Sequence, residues 1–163
     1  MLILGLDPGS LHTGYGVVER RGSALAALDL GRFSCSRSQP LPDRLAHLAG
    51  CLAALLDRWR PETVALETPF HGLNSRSLIV LAEARGALLA TLSGRGILLR
   101  EYSPAEVKSA VTGNGRADKR QVAHMVKLLL ALQGDGWASD ATDALALAIC
   151  AAQRARLDTL AGR

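Results

Sequence analysis

The apolar positions of the first 34 residues fall into short runs that predict three β-strands. Residues 2–6 are continuously apolar and end in an Asp-Pro-Gly-Ser turn, which is typical of a buried strand. Two further β-leaning runs cover residues 13–19 and 25–34, and their short connections make the three strands antiparallel. Gly14 and Gly16 lie inside the second run, where glycine weakens a strand. The limits of that strand are therefore less well defined than its presence.

From residue 41 onwards the apolar spacing is mostly helical. Leucines recur on one face over residues 41–59 and predict an amphipathic helix. A β-leaning stretch at residues 63–66 predicts a fourth strand, and residues 97–102 predict a fifth. A Ser-Pro-Ala-Glu capping box at residues 103–106 begins a short helix. Further helices are predicted at residues 75–92, 118–132 and 139–157.

Three strands followed by alternating helices and strands predict an α/β fold. We expect a mixed five-stranded sheet with helices on both of its faces. The chain has no internal repeat, no low-complexity segment and no linker long enough to divide it. A length of 163 residues and a hydrophobic content of 48% are sufficient for one core. We therefore expect residues 1–163 to form a single domain.

The composition indicates where the protein is located in the cell more clearly than it indicates the function. The 19 Lys and Arg residues outnumber the 15 Asp and Glu residues, which favours an anionic partner without identifying it. Cys35, Cys51 and Cys150 are scattered and form no CxxC pair, so neither a disulfide framework nor a zinc cage is expected. The chain shows no signal peptide and no apolar run long enough for a membrane span. We expect a soluble, cytoplasmic protein.

Four carboxylates are the candidate chemical groups of this sequence. Asp7 follows the first predicted strand, and Glu67 follows the fourth. Asp140 and Asp143 are three residues apart and share a face at the start of the last helix. If the first and fourth strands are neighbours, the four side chains converge at one end of the sheet. Such a cluster of hard oxygen ligands suits Mg²⁺ or Mn²⁺, and without a cation its members would repel one another.

Each of these acidic residues also has an ordinary structural explanation. Asp7 is a common turn residue before Pro-Gly, and Asp140 would serve as a helix N-cap with Asp143 at the third position. Glu67 would be a solvated strand end. These separate explanations do not predict that the side chains meet at one place. Their convergence favours a site in which two ions about 4 Å apart support phosphodiester hydrolysis.

Four ordered blocks of the sequence resemble the RuvC family of Holliday junction resolvases. The blocks are Leu4-Gly5-Leu6-Asp7-Pro8-Gly9-Ser10 with Thr13-Gly14-Tyr15-Gly16; Glu67, Phe70, Asn74, Ser77 and Ala84-Arg85-Gly86; Tyr102, Lys108, Gly113, Lys119, Gln121, Val122, His124 and Met125; and Asp140-Ala141-Thr142-Asp143-Ala144-Leu145-Ala146. They run from residue 4 to about residue 149. The resemblance therefore covers nearly the whole chain.

The resemblance implies a ribonuclease H-like fold and a homodimeric crossover junction endodeoxyribonuclease. The implied catalytic and metal-binding residues are Asp7, Glu67, Asp140 and Asp143. They would hold two Mg²⁺ ions in each subunit, for which Mn²⁺ can substitute. The implied activity is paired symmetric nicking of four-way junction DNA, in strands of like polarity, during homologous recombination and DNA repair. The branch-migration proteins RuvA and RuvB are the implied partners.

Basic and aromatic side chains near the carboxylates are candidate DNA contacts. Lys108 and Lys119 match family positions associated with DNA, although a lone lysine is more often part of a solvated helix face. Arg76 and Arg116 add a general positive charge near the same predicted surface. Phe70 lies in a loop just past a candidate carboxylate, a setting that favours exposure over the commoner core position. Its ring would then be available to stack on an unpaired base at the crossover.

Three functional hypotheses follow from these residues. The first is a Holliday junction resolvase, and the second is a related ribonuclease H-like nuclease that acts on structured RNA. The third is a junction-binding module that does not cut, which the presence of all four carboxylates disfavours. An actin-like sugar kinase also begins with an Asp-x-Gly turn, but it needs two such domains and this chain is too short for them.

Overall fold

The computed structural model describes residues 1–68, 75–134 and 136–160. Within these ranges the strands are β1 (Leu2–Asp7), β2 (His12–Arg21), β3 (Ala24–Ser34), β4 (Thr63–Glu67) and β5 (Leu98–Tyr102). The helices are α1 (Leu41–Trp59), α2 (Ser75–Leu92), α3 (Pro104–Thr112), α4 (Lys119–Leu129) and α5 (Ser139–Leu160). Every element that the sequence pattern predicts is therefore present, and the predicted limits of α1 and α2 are confirmed.

Two helices differ from the sequence-based prediction in their limits. The helix α4 begins after Asp118, whose side chain accepts from the backbone N–H of Gln121 in a capping box, and it ends earlier than expected. Its end is followed by Ala131, which has a left-handed φ of 48° that interrupts the helix. The last helix, α5, instead continues a few residues further than predicted. In the described part of the chain, no helix combines the length and apolar character that crossing a membrane requires.

The sheet has the strand order β3-β2-β1-β4-β5. The first three strands pair in antiparallel fashion, whereas β1 with β4 and β4 with β5 are parallel. Leu6 of β1 is in register with Leu66 of β4, so the two strands end side by side. Asp7 and Glu67, the next residues, therefore lie at the same end of the sheet. The predicted α/β fold with a mixed five-stranded sheet is confirmed.

Helices cover both faces of the sheet, and each face has its own core. On one face, leucines of α1 and α2, such as Leu48 and Leu88, pack against Leu4 and Leu66 of the central strands. On the other face, α3, α4 and α5 pack against the alternate residues of the strands, such as Ile3. Successive strand residues point to opposite faces, which explains why the central strands are apolar at nearly every position.

Three glycines allow α5 to lie directly on the backbones of β1 and β2. A Cβ atom added at Gly5 would be 1.8 Å from the carbonyl oxygen of Ala144, and one added at Gly14 would be 2.0 Å from that of Asp140. At Gly16 it would be 2.6 Å from a leucine methyl carbon of α5. The glycines in β2 were expected only to weaken the strand. Their observed role is to admit the helix, because any larger residue would collide with it.

We predict that Gly5→Ala strongly destabilises the protein, because the added methyl group would collide with the backbone of α5. Overpacking of this kind costs about 3 kcal/mol or more in the free energy of unfolding. The control is Gly50→Ala in α1, where an added Cβ meets no atom within 4 Å. The control should be neutral or stabilising by up to about 1 kcal/mol. Urea denaturation measures both effects, and equal midpoints for Gly5→Ala and the native chain would contradict the prediction.

Candidate active site

The four predicted carboxylates converge where β1 and β4 end. Asp7 and Glu67 are the last residues of these neighbouring parallel strands. Asp140 and Asp143 lie in the first turns of α5, which crosses the same end of the sheet. The close approach of the Asp140 backbone to Gly14, the residue paired with Asp7 in β2, fixes this crossing. The convergence that the sequence suggested is therefore present in the folded chain.

The environment of Asp7 shifts its pKa well above the ordinary value of an aspartate. Its pKa is raised from 3.8 to about 7, first by burial and then by the negative charges of Asp143, Glu67 and Asp140. The ammonium group of Lys119 acts in the opposite direction and lowers the pKa. Asp7 is thus the half-buried centre of the cluster, and the charges of the other three carboxylates act on it.

Glu67 shares this environment to a smaller degree. Burial is the largest cause that raises its pKa, and the charge of Asp143 is the next. Lys108 and Lys119 lower the pKa of Glu67. Two lysines therefore offset part of the negative charge of the cluster, and they do so from α3 and α4, on the side of the sheet that α5 covers.

Two basic side chains contact the aspartates of α5. Lys119 donates to Oδ2 of Asp143 at 2.7 Å, and this hydrogen bond is the main cause of the raised pKa of Lys119. The guanidinium of Arg32 in β3 lies 3.7 Å from Oδ2 of Asp140. Sequence reasoning placed Lys119 at the DNA and did not identify Arg32. Only the pairing of β3 with β2, which sets Arg32 opposite Gly14, brings this arginine to the site.

An open pocket with a volume of about 260 Å³ lies beside the cluster. Its lining combines charged and apolar side chains: Glu67, Pro104, Val107, Lys108, Lys119, Val122, Asp143 and Ala146. The predicted contacts Arg76 and Arg116 are exposed and are not among the lining residues. Phe70 lies outside the described residues. Of the predicted DNA contacts that lie in the described residues, the structure brings the two lysines, and neither arginine, to this pocket.

Arg85 of α2 belongs to a sequence block that resembles the family, but sequence reasoning assigned it no role in the site. It is 8% exposed, donates to the backbone carbonyl of Glu67 at 2.8 Å, and forms an ion pair with Glu101 of β5. A signal was present in the sequence, because Arg85 precedes Leu88 and Leu92 by three and seven residues on the buried face of α2. A charged residue at such a helical spacing must find partners inside the protein.

The donor chemistry of the cluster fits a hard divalent cation, because carboxylate oxygens are the preferred ligands of such ions. A cation would also offset the like charges that raise the pKa of Asp7. In residues 1–68, 75–134 and 136–160, no three Asp, Glu, His or Cys side chains are grouped closely enough to hold one ion. A cation would have to compete with Lys119 for Asp143 and draw the other carboxylates inward.

The sheet order and the position of its carboxylates place the protein in the class of ribonuclease H-like nucleases. The comparison with known families is more specific, because the family described as crossover junction endodeoxyribonuclease RuvC matches residues 3–151. The chain therefore belongs to the RuvC family. The predicted family and the predicted enzyme class, a nuclease that hydrolyses phosphodiester bonds, are both confirmed.

Relatives and solved structures agree with this assignment. The crossover junction endodeoxyribonuclease RuvC of Chloroflexus aggregans is 44% identical over 155 residues, which cover 95% of this chain and 94% of that protein. The corresponding protein of Chlorobaculum parvum is 45% identical over 150 residues, covering 92% and 80%. The structure of Thermus thermophilus RuvC in complex with Holliday junction substrate has a TM-score of 0.92 and 34% identity, and the match covers 98% and 97% of the two chains.

We predict that the metal-free protein loses stability as the pH rises from about 4 to about 7. The raised pKa means that folded Asp7 holds its proton more tightly than the unfolded chain does, so deprotonation opposes folding. Asp7→Asn removes the charge at similar size. The variant should unfold at a higher temperature than the native chain at pH 8 and at a similar temperature at pH 4.

Thermal unfolding in EDTA measures this difference at the two pH values. The control is Asp57→Asn, which alters an exposed ion pair with Arg95 and should change stability little. A difference between Asp7→Asn and the native chain that is the same at pH 4 and at pH 8 would contradict the prediction.

Proposed function

We propose that this chain resolves Holliday junctions in homologous recombination and DNA repair, by paired metal-dependent nicks in strands of like polarity. The RuvC family is one of metal-dependent nucleases. The observation that carries the proposal for this chain is the convergence of Asp7, Glu67 and the two aspartates of α5 at one end of the sheet. Such a carboxylate cluster suits the hydrolysis of a phosphodiester.

The proposed catalytic residues would act through bound ions. Two Mg²⁺ ions in each subunit, or Mn²⁺ in their place, would activate water and stabilise the leaving oxygen. Asp7 and Glu67 would hold these ions from strand ends that the ladder between β1 and β4 fixes. Asp140 and Asp143 would hold them from the first turns of α5. Ligands on strands and helices keep a more constant geometry than ligands on loops.

The DNA would lie over the lysines beside the carboxylates. Lys108 and Lys119 line the pocket next to Glu67, where their charges attract a phosphate. Lys119 now pairs with Asp143, and its ammonium would be available to the DNA if Asp143 held a metal ion instead. Arg76 and Arg116 would contact the DNA backbone farther from the site. Phe70 would stack on an unpaired base at the crossover.

The proposed biological unit is a homodimer in which residues 1–163 of each chain form a single nuclease domain. A four-way junction is close to two-fold symmetric, and paired nicks require two active sites in a related arrangement. The proposed partners are RuvA and RuvB, and the proposed location is the cytoplasm.

We predict metal-dependent cleavage of an end-labelled four-way junction at paired sites, with a matching linear duplex left uncut. Asp7→Asn should lower the cleavage rate by at least about 100-fold, since one carboxylate of the cluster is lost while the fold is kept. EDTA should abolish cleavage in the native chain. Binding without nicks under Mg²⁺ and Mn²⁺ would indicate a junction-binding module, and preferential cutting of structured RNA would indicate an RNA nuclease.

For Phe70 we predict a defect in cutting rather than in binding. Phe70→Ala removes the proposed stacking surface, so the cleavage rate should fall by roughly 10-fold, in line with the energy of a lost base–aromatic contact. Phe70→Tyr keeps the ring and is the matched control. A gel shift measures binding of the junction, and single-turnover cleavage of the same junction measures cutting. Cleavage by Phe70→Ala at the native rate would rule out the stacking role.

A further inference from the structure

The end of β4 is held from both faces of the sheet. The carboxylate of Glu67 faces the pocket between α3, α4 and α5, where Lys108 and Asp143 lie. Its backbone carbonyl accepts a hydrogen bond at 2.8 Å from Arg85, which comes from α2 on the opposite face. The backbone that carries a proposed metal ligand is therefore fixed by a side chain that does not enter the site.

Backbone pairing alone gives limited support at this point of β4. The neighbouring strand β1 ends at Asp7 and is followed by Pro8, which has no N–H with which to continue the ladder. On the other side, the N–H of Thr68 donates to the carbonyl of Tyr102 at 2.9 Å. The guanidinium of Arg85 thus donates a hydrogen bond to the last peptide of β4, at a point beyond the end of the neighbouring strand β1.

Burying the charged side chain of Arg85 costs free energy, which indicates that the residue has a specific role. Its side chain lies among apolar residues of α2 such as Ala84 and Leu88, and its charge is balanced by Glu101 of β5. The guanidinium of Arg85 therefore contacts both parallel strands near their ends: the backbone of Glu67, the last residue of β4, and the side chain of Glu101, the residue before the end of β5. Arg85 is buried whereas Glu101 is about half exposed, so the ion pair adds little stability compared with apolar packing. The planar, forked guanidinium of Arg85, by contrast, fixes geometry well.

We propose that Arg85 is a positioning residue, which holds the end of β4 so that the carboxylate of Glu67 stays in place relative to Asp7 and Asp143. The inference rests on the proposed nuclease function. Arg85 acts through the Glu67 peptide and does not line the pocket beside the carboxylates. Its loss would displace a ligand without removing it, and small displacements of a ligand lower catalysis more than substrate binding.

The test compares Arg85→Gln and Arg85→Lys with the native chain and with Arg95→Gln. Arg95 forms an exposed ion pair with Asp57 at 2.6 Å and serves as the matched control for the loss of a salt bridge. For Arg85→Gln we expect kcat for junction cleavage to fall about 10- to 100-fold, as is usual for residues that orient metal ligands. The junction Kd should be unchanged, and the Mg²⁺ concentration for half-maximal rate should rise about 10-fold. The kcat of Arg85→Lys should lie between those of Arg85→Gln and the native chain, because one compact ammonium cannot contact both partners at once.

A purely structural role would give a different result. It would lower the unfolding temperature while the folded molecules kept the native kcat and metal dependence. Should Arg85→Gln fail to fold, Glu101→Gln provides the second variant, because it keeps Arg85 and removes only its charge partner. We expect Glu101→Gln to lower kcat severalfold at unchanged junction Kd. Native kcat in Glu101→Gln and in every folded Arg85 variant would overturn the proposal.

Amide hydrogen exchange separates this proposal from the function on which it rests. The Thr68 amide, which pairs with Tyr102, should exchange faster in Arg85→Gln than in Arg95→Gln, because the end of β4 is released. If the native chain does not nick junctions, the proposed function fails while this comparison still reports on Arg85. Unchanged exchange at Thr68 in a folded Arg85→Gln variant would overturn the positioning role by itself.

Discussion

The close approach of α5 to the sheet is the constraint on which the candidate site depends. A helix packed on ordinary strand side chains would stand well away from the backbone, and its first turns would not reach the strand ends. Gly5, Gly14 and Gly16 remove the intervening side chains, so α5 lies against the peptide groups of β1 and β2. Asp140 and Asp143 are thereby brought down to the level of Asp7. Glycine has a low propensity for β-strands, yet these glycines allow the four carboxylates to lie close together.

The negative charges of the carboxylate cluster are only partly balanced by the nearby lysines. The negative charges of its neighbours add to burial in raising the pKa of Asp7, while Lys119 partly compensates. Such a grouping of like charges lowers the stability of the folded protein. The arrangement becomes favourable when a divalent cation is bound, because one ion replaces several repulsive contacts with attractive ones. The ammonium of Lys119, which pairs with Asp143, offsets part of the negative charge of the cluster.

The two faces of the sheet have different tasks at the point where β4 ends. The face covered by α3, α4 and α5 presents the carboxylates and lysines to an open pocket. The opposite face is closed by α1 and α2, and from it Arg85 reaches the backbone of Glu67. A strand end that carries a charged side chain on one face gains from a fixed contact on the other, because neighbouring charges pull on that side chain. The carboxylate of Glu67 and the contact that holds its backbone thus lie on opposite faces of the sheet.

The sequence by itself determined the elements and the chemical candidates, because both depend on local patterns. Apolar periodicity predicted the strands and helices, and strand-end or helix-start positions identified Asp7 and Glu67 among the candidate carboxylates. Contacts between distant segments carry no local pattern, so only the tertiary structure decided them. Arg32 reaches Asp140 through the pairing of β3 with β2, and Arg85 reaches Glu67 across the sheet. The role of the glycines was decided in the same way, since a missing side chain has meaning only when the element that fills its place is known.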